Sequence, residues 1–92
     1  MAYFAKIENN IVTNVISINN MICGEPELSY PATEPLGQEY IADTLEFAGT
    51  WLQCSYNGNF RGAYPGITWL YNAELDIFEA PFSTDNPPTP EA

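Results

Sequence analysis

The chain contains no histidine and only two cations, Lys6 and Arg61, against twelve acidic groups. Each shortage excludes something. Histidine is the usual general acid or base near neutral pH and the commonest metal ligand. Two cations cannot displace the counterions of a nucleic-acid backbone. A formal net charge of −10 therefore argues against nucleic-acid partners, and against anionic membrane surfaces for the same reason. No apolar run approaches membrane-spanning length, and the N-terminus shows no secretory pattern, so synthesis in a cytosol is expected. Cys23 and Cys54 are the only cysteines, and their spacing fits no zinc pattern. They are either buried thiols or one disulfide, and the missing secretory signal favours thiols.

Chemistry is equally sparse. Glu39 and Asp43 stand one helical turn apart but read as a solvated pair. Cys54 beside Ser55 has no base to activate it, and neither a calcium-loop nor a phosphate-loop spacing occurs. No catalytic, cofactor-binding or metal-binding residue is assigned, and the chain is read as a non-enzyme. Arg61, the one arginine, either meets a partner's carboxylate or neutralises local acids, and the second reading is favoured.

What the chain does have is aromatic mass: two Trp, six Tyr and five Phe in 92 residues. Such side chains favour pleated surfaces and dominate interfaces. One domain of this size buries only about 60–65% of its unfolded surface, so its stability gains from neighbours. Residues 2–18 form two β-favouring runs around Asn9-Asn10, which closes a two-residue turn. That register pairs Ile7 with Val12 and Tyr3 with Ile16 on a core face. Phe4 with Val15, Lys6 with Thr13 and Glu8 with Ile11 lie on a mixed face, as in a half-covered sheet.

Residues 19–37 hold Pro26, Pro31, Pro35, Gly24 and Gly37 and read as a long loop. A short helix is expected over 38–48, with Ile41, Leu45 and Ala48 at helical spacing and Gly49 as its C-cap. Residues 50–56 give a further strand, and 67–79 a second hairpin with Ile67, Trp69 and Tyr71 on one face. The fold class is α+β and β-rich: two hairpins, an extra strand and one helix in a single domain, residues 1–80. Tyr3, Trp51, Trp69, Tyr71 and Phe78 are expected to be largely buried. Residues 81–92 carry four prolines and read as an extended tail. Phe82, Pro87, Pro88 and Pro90 are candidate partner contacts there, with Trp51, Trp69 and Arg61 in the domain.

An ordered set of residues carries a resemblance over most of 3–82. It comprises Phe4-Ala5-Lys6-Ile7-Glu8-Asn9-Asn10-Ile11-Val12-Thr13, then Trp51-Leu52-Gln53-Cys54-Ser55-Tyr56-Asn57 and Arg61. Tyr64-Pro65-Gly66-Ile67 and Tyr71-Asn72-Ala73-Glu74-Leu75-Asp76-Ile77-Phe78 complete it. The chain resembles a family of short virion proteins of tailed phages of marine cyanobacteria and related hosts. It departs from that family at Pro65, where the family usually has Ala, and at Thr68, where it has Gly. The resemblance implies an accessory structural protein of the virion, without cofactor. It would be multi-copy and held on the capsid (decoration or cement) or on the tail or its fibres, by other virion proteins or further copies of itself. The alternative is a non-virion acidic binding module or inhibitor acting in the infected cell.

Overall fold

Asn9 and Asn10 both take left-handed backbone (φ 53 and φ 64), which turns β1 (Ala2–Glu8) straight into β2 (Ile11–Ile18). The computed structural model describes residues 1–81; the expectations placed on Phe82, Pro87, Pro88 and Pro90 lie outside them. Next to the turn the register is the expected one, Ile7 opposite Val12 and Glu8 opposite Ile11. A β-bulge between Lys6 and Ile7 then leaves Thr13 as the extra residue. Beyond it Lys6 pairs with Asn14, Ala5 with Val15, Phe4 with Ile16 and Tyr3 with Ser17. The expected pairs of Tyr3 with Ile16, Phe4 with Val15 and Lys6 with Thr13 are therefore corrected by one residue.

The bulge decides which side chains share a face. Val12 and Val15 join Ala5, Cys54 and Phe78 on one side of the sheet, while Phe4, Ile16 and Ile18 sit on the other with Ala2 and Trp51. The architecture is α+β and strand-dominated: an antiparallel half-barrel of five strands, ordered β3-β1-β2-β4-β5, with one α-helix. β3 is Thr50–Cys54, β4 Leu70–Asn72 and β5 Ile77–Glu79. The second hairpin is thus shorter than expected, and Ile67 lies outside it at 60% exposure.

Both sheet faces are covered, which corrects the half-covered expectation. The helix, α1, spans Thr33–Asp43 and buries Ile41 against Phe4 and Trp51. It starts five residues before the expected position and ends before Leu45 and Ala48. Pro35 is tolerated because the first helical N–H groups have no intrahelical acceptor to lose. The helix ends without Gly49: Thr44 and Leu45 N–H both return to the Tyr40 carbonyl at 2.9 and 3.1 Å. Glu46 then takes φ 59, and Phe47 N–H reaches the Ile41 carbonyl at 3.0 Å. Part of the supposed loop 19–37 is also ordered. Asn19 caps a 3₁₀ turn, Asn20–Cys23, by accepting from Met21 N–H at 2.8 Å, and Gly24 ends it at φ 91. That turn packs Cys23 into the core under α1.

Candidate functional site

Arg61 is the most heavily bonded side chain among the described residues, and its bonds are internal. Its guanidinium, 9% exposed, donates through Nη1 to Glu34 and to the Gln53 carbonyl (2.8 Å). Nη2 reaches Glu34 Oε1 at 3.4 Å, and Nε donates to Asp76 at 2.8 Å. Four of its five N–H donors are thereby used. Tyr30 lies under the guanidinium at 5.4 Å and stacks in turn on Phe60 at 3.7 Å. Burial alone would lower the guanidinium's pKa, but the hydrogen bonds it donates to Glu34 and Asp76 outweigh that and raise it, so the charge is permanent. Burial also raises Asp76, yet the Tyr71 hydroxyl and Arg61 outweigh that and leave its carboxyl below the usual range. Of the two readings for Arg61, the structure shows neutralisation of local acids.

The same residue closes the sheet. β3 and β5 are the two edges, and an edge strand presents unpaired backbone groups. On β3, Gln53 N–H donates to Glu34 Oε2 at 2.7 Å, and Gln38 Nε2 donates to the Trp51 carbonyl at 2.6 Å. On β5, Phe78 N–H donates to the Arg61 carbonyl at 2.9 Å. Glu34 and Gln38 are four apart on α1 and so face the same strand. Arg61 thus holds one edge by its guanidinium and the other by its main chain.

With both edges occupied, the surfaces left to a partner are made of side chains. A hollow of about 420 Å³ lies beyond the end of α1, between Lys6, Asn14, Ile16, Phe47 and Trp51. Trp51 forms its floor. The ring is 6% exposed, and its Nε1–H donates to the Ala48 carbonyl at 3.2 Å. Phe47, 47% exposed, leans over it at 6.2 Å. Lys6, the other cation, pairs with Glu8 at 3.2 Å and is not a free charge.

No protein-family model, curated protein or solved structure matches the chain. The site therefore rests on its own geometry. Of the expected partner residues, Trp51 is a core residue that also floors the hollow, and Arg61 is internal. Trp69 is half-buried in the cluster of Tyr71 and Phe78, on the other side of the sheet, so the structure does not bring it together with Trp51. The expected aromatic cluster is split accordingly: Trp51 and Phe78 are buried on opposite faces, whereas Tyr3 and Tyr71 are half-buried. Tyr3 instead joins Tyr56 (5.6 Å) and Tyr64 (5.4 Å) at the rim.

Sequence reasoning missed Phe47, Glu34 and the apolar residues Ile22, Leu36 and Tyr40 discussed below. A signal existed in the spacing of Leu36 and Tyr40, but it registers only if the helix is started at Thr33. Cys23 and Cys54 are free and buried in the two separate clusters, on opposite sides of the sheet. Burial pushes the Cys54 thiol up to about 12, with Arg61 pulling the other way. Among the described residues no group of His, Cys, Asp and Glu is placed to hold a metal ion.

Proposed function

We propose that this chain is an accessory structural protein of a tailed-phage particle, held on the capsid or on the tail or its fibres by protein–protein contacts. The observation that carries the reading is where apolar side chains are left in water. Met21 (77%), Phe47 (47%) and Leu36 (36%) stand exposed around α1 and its flanking turns, on a molecule whose strand edges are already occupied. Apolar side chains exposed beside a hollow, as Phe47 is over Trp51 and Leu36 is beside Ile22, suit contact with another protein. The residues of the resemblance add to it at one backbone position. Thr68 takes φ 81, a conformation that favours glycine, and glycine is what the resembling family carries there.

The alternative, an acidic inhibitor working in the infected cell, is favoured by the charge of −10. Quantitative mass spectrometry of purified particles decides between them. Multiple copies per particle are expected; absence from particles, with the protein abundant in infected cells, overturns the proposal in favour of the inhibitor.

A further inference from the structure

A second hollow, about 280 Å³, lies where the 3₁₀ turn meets α1. Its apolar part is Ile22, Leu36 and Tyr40, and its polar part is Glu39, Asp43 and Thr44. Leu28 extends the apolar part, since Leu28 and Leu36 both crowd the space beside Gly24. Two features say what kind of group belongs there.

The first is uncompensated charge. Residues 19–49 contain Glu25, Glu27, Glu34, Glu39, Asp43 and Glu46 and no cation. Only Glu34 is neutralised, by Arg61, and Lys6 is engaged by Glu8. The second is the direction of α1. Its last turn holds Asp43 and no basic residue, so a carboxylate sits at the negative end of the helix dipole. That placement weakens the free helix and is relieved by a cation brought from outside. An apolar floor beside such a wall fits a side chain of each kind from one segment.

We infer that the hollow between the 3₁₀ turn and α1 receives a basic amphipathic segment of a neighbouring protein. A Lys or Arg of that segment would lie against Glu39 and Asp43, and an apolar residue one turn along it against Ile22 and Leu36. This rests on the reading of the chain as a protein-held subunit and gives the chemistry of its partner. A second copy of the same chain does not fit, because its surface carries the same negative charge.

The test uses the full isotope-labelled chain and a short helical peptide built only of Leu and Lys, with a Leu/Glu peptide of the same pattern as control. The Leu/Lys peptide should shift amide signals of Ile22 and of Leu36 to Thr44, and the control should shift none. Replacing the two acids together (Glu39→Gln with Asp43→Asn) should weaken binding about tenfold. The same variant should raise the Tm of the free protein by about 2–5 °C, because the helix end is relieved. Leu36→Ala should weaken binding without that rise. Shifts spread equally over Glu74 and Glu79, unchanged affinity in the double variant, or self-association through this face would each overturn the inference. A null result leaves the particle mass spectrometry unaffected, so the two proposals fail separately.

Discussion

Replacing Arg61 by Met keeps most of the side-chain stem and removes the charge and its fork. The loss can be apportioned from exposure. Asp76 is 51% exposed and its pair with Arg61 is screened by water, worth well under about 1 kcal/mol. Glu34 is 15% exposed, and Arg61→Met leaves it with only the Gln53 N–H as partner. The Gln53 carbonyl loses its Nη1 donor as well. Removing one member of a buried ion pair costs about 3–5 kcal/mol, chiefly through the charge left behind. A domain of this length has only about 5–14 kcal/mol of stability in total. Arg61→Met should therefore lower the urea midpoint by a large fraction.

Two companion variants separate charge from geometry. Arg61→Lys keeps the charge but cannot reach Glu34, the Gln53 carbonyl and Asp76 together, and should recover less than half of the loss. Asp76→Asn should cost under about 1 kcal/mol. The pair Glu34→Gln and Arg61→Met should be much less damaging than the sum of the singles, with a coupling of about 1–3 kcal/mol. The assay is urea unfolding followed by Trp fluorescence, with the slope checked for constancy. A loss below about 1 kcal/mol for Arg61→Met, or strict additivity in the double variant, would refute the closing role.

Stability should fall as pH rises above 9. In the unfolded chain the Cys54 thiol titrates near its ordinary 9.0 and in the folded one near 12, so above 9 the folded state binds more protons and loses ground as pH rises. Cys54→Ala should make the fall above pH 9 shallower in pH-dependent melting curves without abolishing it, because burial also raises the Cys23 thiol, and Tyr71, raised from 10.0 to about 12 by burial and its bond to Asp76, adds to the fall above 10; an unchanged slope refutes the assignment. Trp51→Ala should cost about 3–5 kcal/mol in chemical unfolding, and Trp69→Ala, half-buried, clearly less. Gly37→Ala gains helix propensity of about 1 kcal/mol, but its Cβ would collide with the Phe4 ring, which is fully buried, so a lower Tm is expected; a higher one would show that Phe4 has room to move.

How far the sequence could be read follows from the range of the causes. Asn9-Asn10 acts on its own two residues, and the first turn was legible. The bulge at Thr13 was not, because neighbouring Thr13 and Asn14 are both polar and either could take the solvent side. The helix was started too late because Pro35 and Gly37 read as breakers. Pro35 falls in the first turn, where it removes no bond, and Gly37 is required by the Phe4 ring packed against it from β1. Arg61 was legible as a neutraliser of acids but not as the closure of the sheet. Its partners Glu34, Asp76 and Gln53 lie 27, 15 and 8 residues away, and only the completed topology brings them together.

The closed edges also constrain how this molecule can meet a partner. A small, aromatic-rich sheet with two open edges would invite strand addition by copies of itself. Here Gln38 from α1 occupies the Trp51 carbonyl and Glu34 the Gln53 N–H, and the Arg61 carbonyl occupies the Phe78 N–H. Partner contact is thereby directed to side-chain surfaces, and the apolar ones flank α1 at both ends: Phe47 over Trp51 after its C-terminus, Leu28 and Leu36 by its N-terminal half. The residues that close the edge and those that line the acidic hollow alternate along one helix. Glu34 and Gln38 face the sheet, while Leu36, Glu39, Tyr40 and Asp43 line the hollow. Anything that loosens Arg61 or Glu34 would then disturb the binding face and free a strand edge at once, so such variants should aggregate as well as bind less.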